Sequence, residues 1–346
     1  MWLLTTTPLA LLLLLGPSSS PAVEATTSRS AYADCVVTPV TRAVELGEGP
    51  HWSHEEQALY FVDIKSSSIN RLHVATGKQT SAPIGGASSV DFIVPVVGRP
   101  GAFLVAVDLS ISEVQWDGED VSSLTGRALV SVDADKPDNR FNDGKADPAG
   151  RLWGGTMGPE PEVGHVVPKQ GSLYLFEGQG AALSSQAWLT GVDISNGLAW
   201  SADNDTMFYI DTGSNRVDAL DYDAATGQIG ARRPVFDLIQ NNVTGHPDGM
   251  TIDRNGNLWV ACFDGSQVIH VDPRTRQLLG RVSIPAERVT SVAFGGPQLD
   301  VLYVTTSRFG LTPEQLAKQP HAGSVFAVTG LGVSGLPGQS VAYSSV

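Results

Sequence analysis

Four polar residues, Glu48, Asn142, Asn196 and Asp248, stand at matching places in four copies of one internal repeat. Glu48 lies 12 residues before Tyr60, and Asn196 lies 12 before Phe208. Asn142 lies 10 before Leu152, and Asp248 lies 10 before Leu258. Equivalent positions of a repeat occupy equivalent places in the fold, so the four side chains are expected to converge. Two carboxylates and two amides offer only oxygen. That donor set suits a hard cation such as Ca²⁺, Mg²⁺ or Mn²⁺, and suits Zn²⁺ less well in the absence of His or Cys. The expected direct ligands are Glu48, Asn196 and Asp248, with Asn142 bound directly or through water. Taken singly, each also reads as a turn residue, since Gly follows Glu48, Asn196 and Asp248.

The elements that must position these residues repeat as well. The unit is a polar residue, Gly, an apolar strand, a turn rich in Asp, Asn or Gly, and a second apolar strand. It is clearest as Glu48-Gly49-Pro50-His51-Trp52 with Leu59-Tyr60-Phe61-Val62-Asp63, and as Asn196-Gly197-Leu198-Ala199-Trp200 with Met207-Phe208-Tyr209-Ile210-Asp211. It recurs as Asp248-Gly249-Met250-Thr251-Ile252 with Leu258-Trp259-Val260-Ala261. Diverged copies begin at Asn142-Asp143-Gly144, at Ser291-Val292-Ala293-Phe294 and, most weakly, at Phe92-Ile93-Val94. Anchored on Tyr60, Leu104, Leu152, Phe208, Leu258 and Leu302, the steps run from 44 to 56 residues. Short strands at that period predict an all-β, six-bladed β-propeller with a central metal site at one end of the channel. The segment from Cys35 to Val44, ahead of the first copy, is placed to close the ring by joining the last blade. One short helix is predicted, capped by Thr312 with Pro313 in its first turn.

Composition narrows the function. The 346 residues, 42% hydrophobic with 37 Gly and 21 Pro, suit a globular, turn-rich β protein. A net charge of −14 with no basic patch argues against nucleic acid and against anionic membranes. No Gly-x-Ser-x-Gly elbow supports a serine esterase, and no Gly-x-Gly-x-x-Gly opens a helix for a nucleotide. The apolar run Leu9 to Leu15, followed by Gly16-Pro17, a serine run and Val23-Glu24-Ala25, reads as a signal peptide over residues 1–25. Residues 26–346 then form the propeller, secreted and expected to be soluble and monomeric; the alternative is a cytoplasmic protein with a non-functional leader. Cys35 and Cys262 give no disulfide framework, and Cys262 reads as a small buried thiol. The sequons at Asn204 and Asn242 read first as turn asparagines. His51 and His246 flank the expected metal face, while Trp52 and Trp200 read as packing between blades.

Several long segments resemble the regucalcin family, also called senescence marker protein, gluconolactonase and luciferin-regenerating enzyme. They are Asn139-Arg140-Phe141-Asn142-Asp143-Gly144-Lys145-Ala146-Asp147-Pro148, Asp193-Ile194-Ser195-Asn196-Gly197-Leu198, Pro247-Asp248-Gly249-Met250 and Val328-Thr329-Gly330-Leu331-Gly332-Val333. The resemblance runs from about Cys35 to Ser340. It implies a divalent-metal lactonase with Glu48, Asn196 and Asp248 as ligands and Arg140, Asn142 and Glu160 as substrate contacts. Glu162 competes for the last role, because Gly158-Pro159-Glu160-Pro161 departs from the family's usual sequence. The resemblance also implies Asp248 as general base and acid, one divalent ion (Ca²⁺, with Zn²⁺, Mg²⁺ or Mn²⁺ as alternatives) and a small lactone substrate. The rival readings are a non-enzymatic calcium-binding regulator and an enzyme of the luciferin-regenerating branch. A third is a secreted binding propeller whose site serves only structure.

Overall fold

The computed structural model describes residues 32, 34–178 and 183–343. The proposed leader therefore lies outside the described residues. Among the latter are six four-stranded antiparallel sheets arranged as the blades of one propeller. Blades I to V are each built from four consecutive strands. Their inner strands are Gly47–Ser53, Val90–Pro95, Arg140–Ala146, Ser195–Trp200 and His246–Ile252. Blade VI has Arg288–Gly295 innermost, then Val301–Ser307 and Phe326–Thr329. Its outermost strand is Val36–Pro39, in register Val36 to Thr329 and Val37 to Val328. The ring closes as the sequence predicts, by joining the two ends of the chain in one sheet.

The second strand of each blade is the easiest to read, for a physical reason. It packs against neighbouring blades on both faces and so carries a nearly unbroken apolar run. Ala58–Asp63 and Leu152–Met157 are buried at every position. Outer strands such as Lys78–Pro83 and Gln277–Ser283 are partly exposed and carry little signal. Aromatic rings join the blades: Trp52 of blade I stacks on Tyr303 of blade VI at 5.5 Å, and Trp259 of blade V meets Phe294 of blade VI edge-on at 5.8 Å. Trp200 packs against Tyr222 within blade IV.

All six inner strands slip register near their start. The slips fall between Glu48 and His51, Val90 and Ile93, Phe141 and Gly144, Asn196 and Leu198, Pro247 and Met250, and Val289 and Ser291. A bulge inserts extra residues and re-aims the side chains around it. Six bulges at one level of a ring turn six short segments toward the axis at one mouth of the channel. The glycines of the repeated polar-Gly pair let these segments crowd together. A Cβ on Gly249 would stand 1.9 Å from Ser291 Oγ, and one on Gly197 would stand 2.8 Å from the Asp248 carbonyl.

The predicted helix is α1 (Pro313–Lys318), where Thr312 and Gln315 form a reciprocal capping box. Asn204 and Asn242 adopt φ of 59° and 52°, the left-handed conformation that suits a turn asparagine. Cys35 and Cys262 are both free thiols, and burial raises Cys262 to about 12, so it is inert.

Candidate metal centre

At the bulged mouth Glu48, Asn196 and Asp248 are buried, none more than 6% exposed. They belong to blades I, IV and V, and the closed ring brings them together. Burial holds the Glu48 carboxyl well above its ordinary range, reinforced by the charges of Asp248 and Asp143. Asp248 is likewise held high by burial and by Asp143, and the neighbouring Asn196 amide draws it partly back. Asn196 donates through Nδ2 to Thr212 Oγ1 at 2.9 Å, while its Oδ1 is buried with no partner. An orphaned carbonyl oxygen on the amide that bonds Asp248 costs about 1–3 kcal/mol, and a cation would relieve that cost.

Two acidic residues of this mouth were not singled out from the sequence. Asp143, adjacent to the predicted Asn142, is buried and raised by burial, with Lys145 opposing. Asp91 of blade II is 0% exposed and is pushed up to about 7 by burial, against the pull of Arg140. Asp91 lies 13 residues before Leu104, close to the spacing of the clear copies, so counting outward from Leu104 would have found it. The mouth thus gathers four buried carboxylates, Glu48, Asp91, Asp143 and Asp248, against two cations, Arg140 and Lys145. Fully ionised, that set carries a net charge of −2, which one divalent cation would neutralise. Among the described residues no three His, Cys, Asp or Glu side chains form a cage by themselves. The fit therefore relies on the Glu48–Asp248 pair with the amide oxygen of Asn196 and water, a donor set proper to a hard ion.

Arg140 and Asn142 are joined by a hydrogen bond. Arg140 Nη1 donates to Asp91 Oδ1 at 2.9 Å, to the Phe141 carbonyl at 2.8 Å and to Asn142 Oδ1 at 3.0 Å. Asn142 Nδ2 in turn donates to the Ser195 carbonyl at 3.0 Å, next to Asn196. Asn142 thereby ties the blade III bulge to blade IV, and its Oδ1 keeps a second lone pair. Glu160 lies in the loop between strands Leu152–Met157 and Gly171–Glu177. It accepts from the Gly164 N–H at 2.7 Å and pairs with Lys65 of blade I at 3.6 Å. Glu162 is exposed and forms a local bridge with His165.

His51 departs from expectation. It lines a cavity of about 350 Å³ at the opposite mouth, with Pro50, Trp200, Ile252, Phe294 and Pro337. Through the bulge the chain from Glu48 to His51 advances only as far as Val62 to Tyr60 on the partner strand, about 7 Å along the channel. The C-terminal segment caps this mouth, bonded through Ser334 to Arg254 and through Val341 to Pro95 and Val97. Burial and Lys145 lower His51 to about 4, so its ring is neutral at pH 7. The unfolded chain takes up that proton near pH 6.5, so between 6.5 and 4 it binds more protons than the folded protein. Stability should fall as pH drops through this window, by up to about 3 kcal/mol from His51 alone. Melting curves of wild type and His51→Gln from pH 7 to 4.5 test this. The wild type should lose more stability over the range, and parallel profiles would contradict a buried neutral ring. His246 is exposed, and its Nδ1 donates to Asn215 Oδ1 at 2.8 Å.

Fold and site together define a six-bladed propeller whose channel ends in a mixed carboxylate and amide mouth. The chain belongs to the family described as the SMP-30/Gluconolactonase/LRE-like region, matched over residues 46–308. It is 42% identical to regucalcin of Gallus gallus over 294 residues, 84% of this chain and 93% of that protein. Among solved structures it resembles a luciferin-regenerating enzyme, with a TM-score of 0.82 and 41% identity, covering 89% of this chain and 99% of the other. It also resembles a calcium-binding regucalcin from Agrobacterium tumefaciens, with a TM-score of 0.77 and 25% identity, covering 88% and 97%.

Proposed function

We propose that this chain is a divalent-cation-dependent lactonase acting on a sugar lactone such as gluconolactone. The observation that carries the reading is the unpartnered, buried Oδ1 of Asn196 on the amide beside Asp248, whose charge in turn acts on Glu48. The family, whose description includes gluconolactonase, supports the same chemistry. A divalent cation held by Glu48, Asn196 and Asp248 would polarise an ester carbonyl and make water more acidic. The remaining work falls to the chain. Asp248 accepts the proton of the attacking water as the new C–O bond forms. As the ring C–O bond breaks, it returns that proton to the departing alkoxide. Arg140 is fixed at Nη1 by Asp91 and Asn142, which leaves Nε and Nη2 available for sugar hydroxyls. The Glu160 loop, tied to Lys65 of blade I, would limit the size of the ring that enters.

The test is gluconolactone hydrolysis by metal-stripped protein, with Ca²⁺, Mg²⁺, Mn²⁺ and Zn²⁺ restored in turn. Turnover should vanish on stripping and return with at least one ion. Metal binding without turnover on any lactone would favour the second reading, a calcium-binding protein without catalysis. The names of the regucalcin relatives support that alternative. The likeness to a luciferin-regenerating enzyme favours including an aromatic heterocycle among the substrates tried.

A further inference from the structure

Among the described residues, Lys145 is the cation that the propeller places inside its channel beneath the carboxylate mouth. Its Nζ donates to the carbonyls of Leu198 at 3.0 Å and Met250 at 2.8 Å, on the inner strands of blades IV and V. It thus reaches from blade III across the floor on which Asn196 and Asp248 stand. On its far side it borders the His51 cavity. Its charge acts on Asp143 and Glu48 from one side and on His51 from the other. Arg140, the second cation, is already paired with Asp91 at 2.9 Å. Arg140 also acts on Glu48 and Asp248, but it is shared with Asp91, whereas Lys145 has no carboxylate partner of its own among the described residues and acts on Asp143 and Glu48.

We infer that Lys145 is a positioning residue, a resident counter-ion that sets how tightly the Glu48, Asn196 and Asp248 site holds its cation. It does so without touching the ion or the substrate. The inference rests on the cation reading of that site. Its direction follows from Coulomb's law at short range in a poorly solvated channel. Without a metal, Lys145 offsets part of the repulsion among the carboxylates and stabilises the fold. Once a divalent ion arrives, the ammonium and the ion repel each other, so Lys145 weakens binding. The residue makes the empty site tolerable at the expense of affinity.

A merely structural Lys145, pinning two carbonyls, predicts the opposite sign. Its loss would loosen the floor and weaken metal binding. The experiment is a calorimetric titration of the metal-stripped full chain with Ca²⁺, beside melting curves in EDTA. Lys145→Gln keeps an amide donor for the carbonyls and removes the charge. It should bind Ca²⁺ about tenfold tighter than wild type and melt lower in EDTA, while Lys145→Arg should keep wild-type affinity. The double variant Lys145→Gln with Asp143→Asn restores the buried net charge of −2. It should fold and bind like wild type even where the single variant folds poorly. A folded Lys145→Gln with unchanged or weaker affinity overturns the inference and leaves the cation reading intact, as does a double variant far from wild-type affinity. Wild-type protein that binds no Ca²⁺ overturns both.

Discussion

Asp248→Asn is expected to lower gluconolactone turnover by about 10³-fold while the metal-free protein melts at the same temperature or higher. The two halves of this result have one cause. Asp248 is buried beside Asp143 and close to Glu48, and burial with like charge already raises its carboxyl. An amide of the same shape removes one of those charges, so the empty mouth becomes less frustrated. Catalysis loses twice: the amide cannot accept the water proton, and it is a poorer ligand for a hard cation. Excess Ca²⁺ should therefore recover only the part of the loss that comes from weaker binding. Initial rates at saturating ion, with melting in EDTA, check both halves. A variant that keeps more than about a tenth of the wild-type rate would remove Asp248 from the proton-transfer role. A large drop in melting temperature would make it a structural residue.

The ring was legible in the sequence because its second strands are buried on both faces. Leu258 to Phe263 reads as apolar whatever surrounds it, and six such runs at a steady period leave few alternatives. Closure by Val36–Pro39 was legible for a related reason, since a short strand ahead of the first repeat has no sheet of its own to join. The site was legible only in part. Glu48, Asn196 and Asp248 stand beside glycines that the crowded bulges require, and that pairing marks them. Asp91 is followed by Phe92, whose ring fills the space beside Gly144 and Gly154, so the pair that flags the other copies is missing. In blade III the bulge spans two polar residues. Sequence spacing selects Asn142, whereas the channel receives the charge of Asp143. Lys145 carries no local signal, because its partners are backbone carbonyls 53 and 105 residues away. His51 borders the cavity of the other mouth because the strand runs along the channel, and even through the bulge it leaves the level of Glu48 by two ladder positions.

A second substitution should be felt far from the channel, in the fold itself. Asp253→Ala is expected to cost about 3–5 kcal/mol, the loss seen when a buried charged partner is removed and its donors are stranded. Asp253 is 0% exposed and opens the turn Asp253-Arg254-Asn255-Gly256-Asn257 ahead of Leu258 and Trp259. Its Oδ1 accepts the N–H groups of Asn255 at 2.9 Å and Asn257 at 3.0 Å. Its Oδ2 accepts Trp259 Nε1 and meets His270 Nε2, each at 3.0 Å. Burial pushes this carboxyl up, yet the bonds from His270, Asn257 and Trp259 outweigh it and hold it below its ordinary value. One side chain therefore fixes the turn, the indole and the imidazole stacked 4.2 Å above that indole. Trp259 is the wedge between blades V and VI, so its stranded N–H would loosen an interface and not a surface loop. Blade III repeats the device: Asp147 holds the Ala149 and Arg151 N–H groups, Trp153 Nε1 and Tyr222. At about 2 °C per kcal/mol for a chain of this size, Asp253→Ala should melt some 6–10 °C lower. Asp253→Asn, which keeps one acceptor oxygen, should fall between. If both variants melt within 2 °C of wild type, the repeated Asp would be a turn-former only, and the blades would owe their spacing to the tryptophans alone.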